Sequence, residues 1–333
     1  MKLSTIPVYY VAMIIESLVE KGWDREKLIG KLTFPTELLL EKRARIPSSD
    51  FARFTGYLAV KQQDECLGLL ESPMKIGTFA LLCQSAIGCD TLGHFLGRYS
   101  RSIGISSDSV KLTVSHDTDL ATCSIQCKGT DNDAKNVLIM MILAIAHRLC
   151  SWAIDQKIVL HDVNIAASAP FFAQDYNMLF MSLVNFGQEE NSIRFSANYL
   201  DAKIMQDELT LRMFLSESAV LLMSEMELDS SLTSQIRQLI KADVAGEFPS
   251  FVKLAKSMNY TSATLRRRLR SEGTSYQDIK DSVRRDTAIH YLSKKSMSVE
   301  EVAEKSGFSE PTSFFRAFKR WTGTSPRAYV ASS

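Results

Sequence analysis

Between residues 251 and 330 one pattern occurs twice, and that duplication constrains this chain more than any other feature. The first copy reads FVKLAKSMNYTSATLRRRLRSEGTS and the second VEEVAEKSGFSEPTSFFRAFKRWTGTSP. Ala255 aligns with Ala303, Asn259 with Gly307 and Thr261 with Ser309, each 48 residues apart. The offset is 49 for Leu265 with Phe314, Arg267 with Arg316 and Leu269 with Phe318, and 50 for Gly273 with Gly323. Each copy predicts a short helix, a tight turn, a second helix and a Gly-Thr-Ser exit.

The residue types suit a helix-turn-helix. Two helices crossing closely need a small residue at the contact, which Ala255 and Ala303 supply, and a turn residue that tolerates positive φ. Gly307 meets that demand without steric cost, and Asn259 is the next best left-handed residue. Thr261 and Ser309 are expected to cap the second helices by accepting backbone N–H bonds. At 100° per residue, Leu265 and Leu269 define a buried stripe that leaves Ala263, Arg267 and Arg270 facing away. In the second copy Phe314, Phe318 and Trp321 are expected to be buried, with Thr312, Arg316 and Lys319 outward. A solvated charged face would explain an isolated RRRLR run. The outward arginine recurs in the repeat, which points to DNA: Arg pairs bidentately with guanine while lysines and flanking arginines neutralise phosphates. Between the copies, Ile279, Val283, Ala288, Ile289 and Leu292 keep a helical period. A helix of about 19 residues spans roughly 28 Å and would hold two recognition helices near one DNA turn apart.

The charge distribution agrees. The net charge of the 333 residues is +1, but from Leu232 onward 18 Lys and Arg face 10 Asp and Glu, against 21 and 28 in the rest. A basic tail on an acidic body is the footprint of a DNA binder whose other half does something else.

That body predicts an α+β, helix-rich domain. Residues 5–60 read as all helix, with Asp24 capping REKLIGKL and Ser48-Ser49 capping a helix through Phe51, Phe54 and Leu58. Thr91 caps a helix LGHFLGRYSRSI. Alternation predicts strands at 109–114, 121–127, 159–165 and 192–195, the first two joined by the turn HDTDL. A buried helix is expected over 137–152 and another, apolar over more than one stripe and suited to a partner subunit, over 203–226. The aromatic-rich Phe171 to Phe180 suits a core or interface better than a ligand pocket. All six cysteines lie in the body without metal-ligand spacing and read as reduced buried thiols. The alternative is a redox switch using Cys83 with Cys89 or Cys123 with Cys127. His94, and His116 with Asp117 and Asp119, read as structural groups rather than ligands. No catalytic, phosphate-cradle or cofactor motif occurs, and the run 137–146 is too short for a membrane span.

The segment Gly307 to Val330, GFSEPTSFFRAFKRWTGTSPRAYV, resembles the DNA-binding domain of the AraC/XylS family of bacterial transcription regulators. The first copy, with LRRRL and EGTSYQDI, is similar to the subgroup with an OruR or arabinose-binding-type N-terminal domain. The resemblance implies an all-α C-terminal domain at 235–333 with two helix-turn-helix motifs, about 250–272 and 298–321, joined by a linker helix. It implies an effector-binding and dimerisation domain at 1–227, with a Ser/Asp-rich linker at 228–234. Carried onto this sequence, it implies base contacts from Ala263, Arg266 and Arg267 and from Pro311, Thr312 and Arg316. Arg268, Arg270, Lys319 and Arg320 are left for phosphates. The helical wheel supports Arg267 and Arg316 independently and puts Arg266 on a flank. The expected partners are double-stranded promoter DNA, RNA polymerase, a small-molecule effector and a second copy of the chain, with no membrane. The expected protein is a cytoplasmic activator that needs no metal or cofactor. The alternatives are a body that only dimerises or takes a protein partner, and an enzyme with an appended DNA domain.

Overall fold

The computed structural model describes residues 5–221, 232–242, 248–294 and 297–331. Along the chain these form β1 (Thr5–Pro7), α1 (Val8–Glu20), α2 (Arg25–Ile29), β2 (Arg45–Pro47), α3 (Ser48–Gln62), α4 (Thr78–Ala86) and α5 (Leu92–Ser106). Then come β3 (Val110–His116), β4 (Leu120–Cys127), α6 (Asp133–Ala153), β5 (Leu160–Ile165), α7 (Ala173–Phe180), β6 (Val184–Phe186), β7 (Asn191–Ser196) and α8 (Glu208–Leu221). The remainder is helical: α9 (Leu232–Ala242), α10 (Phe251–Ser257), α11 (Ser262–Ser271), α12 (Tyr276–Lys294), α13 (Val299–Lys305), α14 (Pro311–Thr322) and α15 (Pro326–Ala331).

The chain divides into two compact units, and the division differs from a cut at the expected linker. One unit comprises Glu16–Trp23 and Ala52–Leu228, and the other joins Met1–Ile15 and Asp24–Phe51 to Asp229–Ser333. Of the expected linker, residues 228–231 lie outside the described residues, and 232–234 are already the first turn of α9.

The first of these units is built on a five-stranded sheet in the order β3-β4-β7-β5-β6, antiparallel except for the parallel β5–β6 pair. The β3–β4 hairpin turns where the sequence places it. There the Asp117 carboxylate accepts the backbone N–H of Asp119 and Leu120. Thr91 caps α5 by accepting the N–H of His94. The helix α6, 21 residues, is longer than its apolar run and is long and apolar enough to cross a membrane, yet most of it is buried within the protein, His147 and Arg148 included. Phe172, Tyr176 and Phe186 form a ring cluster in which Phe172 and Tyr176 are buried, so α7 contributes core. The expected helix over 203–226 begins only at Glu208, after Asp207 and Thr210 exchange hydrogen bonds at its start; residues 222–226 are outside the described residues. The three-residue strand β6 has no sequence signature.

All six cysteines are free, five of them buried. Burial pushes the Cys83 and Cys123 thiols up to about 12 and Cys127 up to about 11, far from the thiolate that redox chemistry needs. Cys123 and Cys127 stand four residues apart on β4, about 13 Å at strand rise, which is beyond disulfide reach.

The second unit corrects the reading of the opening as all helix. Thr5-Ile6-Pro7 pairs antiparallel with Arg45-Ile46-Pro47, a ribbon of two three-residue strands. Each strand ends in a proline and is too short to show alternation, and the pairing spans 40 residues, so nothing local announces it. Asp24 caps α2 as expected, accepting from Glu26 and Lys27.

Candidate nucleic-acid interface

Both copies of the repeat fold into the same turn. In the first, Asn259 N–H donates to Lys256 O at 3.1 Å and Tyr260 N–H to Ala255 O at 2.8 Å. In the second, Gly307 N–H donates to Glu304 O at 2.8 Å and Phe308 N–H to Ala303 O at 3.0 Å. Asn259 at φ 58° and Gly307 at φ 77° hold the left-handed position, and Ala255 and Ala303 are buried at the helix crossing. Gly273 and Gly323, at φ 70° and 78°, end the two second helices.

Helix α11 starts at its expected cap, the N–H of Thr264 donating to Thr261 Oγ1 at 3.1 Å. Helix α14 does not. Its N-cap is Glu310, which makes no side-chain cap bond, and Pro311 occupies the first turn, so Ser309 lies outside the helix and caps nothing. The extra residue of the second copy moves the start by one position, and proline there has no N–H to satisfy. The preceding helix, α13, carries a full capping box between Ser298 and Glu301.

Behind α11, Leu265 and Leu269 are buried with Ile236, Ile240, Leu254, Ile279 and Val283. Behind α14 the core is aromatic: Phe314 packs on Phe318 and Phe308, and Phe318 meets Tyr329 edge-on, all with ring centroids 5.5–5.6 Å apart. Trp321, expected to be buried, is half-exposed; its ring lies 5.8 Å from Phe308. It sits on the flank of the stripe that Phe314 and Phe318 occupy.

The six residues implied as base contacts, Ala263, Arg266, Arg267, Pro311, Thr312 and Arg316, are all exposed. So are Arg268, Arg270, Lys319 and Arg320. They are not equally free. Arg266 lies over the Phe251 ring at 5.3 Å. Arg268 lies over Tyr260 at 4.9 Å and donates to its hydroxyl at 2.9 Å, and Arg320 faces Asp281 at 3.4 Å. Arg267 and Arg316 have no partner among the described residues, and they occupy equivalent places on α11 and α14.

The helix α12, 19 residues long, ties the copies together through charged groups that belong to neither repeat. The Arg284 guanidinium lies between the rings of Phe248, before the first motif, and Phe308, in the second turn, at 4.6 and 4.7 Å. It also donates to Gly307 O at 3.0 Å. On the same helix, buried Asp286 accepts from Arg237 of α9 at 3.1 Å and from Thr5 of β1 at 2.6 Å, with Arg285 at 3.3 Å. Burial raises the Asp286 pKa, but the cations of Arg285, Arg237 and Arg45 outweigh it and hold the carboxyl below its ordinary value. Arg45 of β2 donates to Thr5, and its carbonyl accepts from the Tyr329 hydroxyl of α15 at 2.9 Å. The N-terminal ribbon is therefore bonded to the helix that carries both motifs. On a 100° wheel Asp286 falls between Val283 and Ile289 in the buried stripe, but its partners, up to 281 residues away, carry no mark in the sequence.

Comparison with known proteins gives matches over both parts of the chain. The family model for the arabinose-binding N-terminal domain of AraC transcription regulators matches residues 22–204, and a helix-turn-helix domain model matches 254–332. The ornithine utilization regulator of Pseudomonas aeruginosa is 24% identical over 329 residues, 97% of this chain and 96% of that protein. The transcriptional regulator VqsM of the same organism is 26% identical over 257 residues, 74% of this chain and 76% of its own. The crystal structure of the P. aeruginosa regulator CdpR aligns with 83% of this chain and 96% of its own at 21% identity and a TM-score of 0.31. With an arabinose-binding-type domain followed by paired helix-turn-helix motifs, the chain belongs to the AraC family of DNA-binding transcription regulators.

Proposed function

We propose that α11 and α14 enter two successive major-groove segments of one promoter face, with Arg267 and Arg316 as the principal base readers. Ala263, Pro311 and Thr312 line the same approach, and Arg268, Arg270, Lys319 and Arg320 serve the phosphates. The observation that carries this reading is the pair of exposed, unpartnered arginines at equivalent positions, each backed by a buried stripe. Full-length protein is titrated with a duplex it has selected from a randomised pool and with the scrambled duplex. Arg267→Ala is expected to cost roughly 1–3 kcal/mol on the selected duplex and little on the scrambled one. Equal losses on both refute the reading role.

The body, expected at residues 1–227, is the effector-binding and dimerising part. The family model's own description supports a small-molecule site within 22–204, and the name of the ornithine utilization regulator makes amino-acid derivatives a first panel. Leu209 and Met213, one turn apart on α8 and 66% and 63% exposed, support a subunit contact. Effector binding shifts the population of DNA-competent states by no more than its differential affinity, and the bound regulator acts as an intracellular, non-enzymatic activator that contacts RNA polymerase. Thermal-shift screening of the full chain tests the effector: a ligand that prefers the folded body raises Tm by mass action. No shift across amino acids, fatty acids and cell extract favours a body that only dimerises.

A further inference from the structure

Beside the reading face of α11 the structure has a cleft of about 430 Å³ whose lining includes Phe251, Arg266, Arg270, Thr274, Tyr276 and Lys280. Its floor is aromatic. The rings of Phe251 and Tyr276 lie 5.7 Å apart, and Tyr276 is anchored by its hydroxyl, which donates to Pro249 O at 2.6 Å. A cation rests on each ring, Arg266 over Phe251 at 5.3 Å and Lys280 over Tyr276 at 5.0 Å, and Arg270 stands at the edge. Among the described residues no carboxylate lines the cleft. Two acids bond polar groups of its wall, which uses their acceptor oxygens: Asp278 accepts from Ser275, and Asp281 accepts from Gln277 and faces Arg320.

Three cations around an apolar floor form a site for an anion. The rings hold the two cations in place, so less side-chain entropy is lost when an anion is gripped. Burial first, and the neighbouring Arg284 second, draw the Lys280 ammonium below its ordinary pKa, with Asp281 opposing. Arg266 and Arg270 lie one turn apart on the recognition helix itself, flanking Arg267, so the anion nearest this cleft in a complex is the sugar-phosphate chain bordering the groove.

We propose that this cleft is a phosphate clamp, in which Lys280, Arg266 and Arg270 together hold one backbone phosphate of the duplex that α11 reads. The proposal rests on the groove-reading role of α11. It changes the role of Arg266, which the family pattern would make a base reader: its guanidinium is drawn back over Phe251, and it supplies affinity irrespective of sequence. Lys280 becomes a contact that no repeat or motif indicates.

The test uses the full chain, the selected duplex and its scrambled counterpart, titrated across a salt series. Lys280→Gln and Arg266→Ala are expected to weaken both duplexes by the same factor and to lower the slope of log K against log salt by about one. Lys280→Arg is expected to restore both. A loss confined to the selected duplex for Arg266→Ala, or an unchanged slope for Lys280→Gln, overturns the clamp. Inorganic phosphate at constant ionic strength separates the two sources of the anion. If Lys280→Gln abolishes protection by free phosphate and leaves the DNA slope intact, the cleft serves a small anion and the DNA assignment is wrong. Arg267→Ala, titrated in parallel, keeps the two readings apart. If Arg267→Ala loses sequence preference while Lys280→Gln changes nothing, the clamp alone fails. If Arg267→Ala loses no preference, groove reading itself fails.

Discussion

The two helix-turn-helix copies share a turn to within the same hydrogen bonds and differ in almost everything packed around it. The first centres on Leu265 and Leu269 with aliphatic partners, among them Ile236 and Ile240 from the added helix α9, and keeps its aromatics, Tyr276, Phe251 and Tyr260, at the margin. The second stacks Phe308, Phe314, Phe318 and Tyr329 and draws its extra cover from the short α15. The outer faces diverge as well. Helix α11 presents four arginines and a cation-lined cleft, whereas α14 presents one arginine, a lysine and a second arginine turned to Asp281. Duplication has therefore kept the backbone geometry that aims a helix and left both core chemistry and surface charge free to specialise. On this basis the first copy is expected to be the stronger source of DNA affinity, read as a larger loss of binding for neutralising substitutions on α11 than on α14.

If α12 is the common spine of the copies, damage to it should reach both, and the largest effect is expected there. Asp286→Asn removes the charge that Arg237 and Arg285 face in a buried site, and stranding a buried charge costs about 3–5 kcal/mol. Urea unfolding of the full chain measures the loss, and hydrogen exchange should show α11 and α14 losing protection together. Loss confined to one of them would break the spine idea. The wild-type protein carries a pH signature of the same group. The Asp286 carboxyl is depressed in the folded state, so its stabilisation is present above the ordinary carboxylate pKa of about 4 and is lost as pH falls through the lower folded value. Asp286→Asn should flatten the acid limb of the stability curve.

Core truncations sharpen the contrast between interiors. Phe318→Ala removes a fully buried ring that touches Phe314 and Tyr329 and should cost about 3–5 kcal/mol; Leu269→Ala should cost about 2–4 kcal/mol. Exchange protection is expected to fall in α14 and α15 for the first variant and in α9 and α11 for the second. A Leu269→Ala effect that spreads equally into α15 would mean that the two interiors are one.

What could be read in advance was local. The left-handed turn residues, the buried stripes and the outward Arg267 and Arg316 follow from φ preferences and a 100° wheel, which need only a dozen contiguous residues. The ribbon β1–β2 was hidden because three-residue strands ending in Pro7 and Pro47 show no period and pair across 40 residues. Asp286 and Arg284 were hidden for a related reason. The wheel puts Asp286 in the stripe of Val283 and Ile289, but the deciding partners of the two residues, Thr5, Arg237, Phe248 and Phe308, come from four other parts of the chain. The cap at Ser309 failed because one inserted residue re-registers a helix start, and repeat alignment cannot show on which side of the cap the insertion falls.

The turns offer a smaller test of the claim that geometry is what the copies share. Gly307→Ala places a Cβ at φ 77° and should cost about 1–2 kcal/mol, read as a fall in the urea midpoint. Asn259→Gly at φ 58° relieves the same restriction and, after the entropy of the added freedom, should leave stability within about 0.5 kcal/mol of wild type. If Gly307→Ala were as silent as Asn259→Gly, the left-handed turn would not be a shared requirement.

The smallest effect expected separates the copies at their helix starts. In the first copy Thr261 Oγ1 satisfies one of the orphan N–H groups of α11, so Thr261→Ala should lower stability by about 1 kcal/mol. In the second, Ser309 stands one residue too early and Pro311 removes one donor that would otherwise need an acceptor, so Ser309→Ala should stay within about 0.5 kcal/mol of wild type. The pair is informative because the sequences align Thr261 with Ser309 without a gap, and any argument from repeat position alone requires equal losses. Unequal losses, measured by urea unfolding of the full chain, would show that the inserted residue lies between Ser309 and Pro311. Equal losses would place the insertion later in α14 and restore Ser309 as the cap in solution.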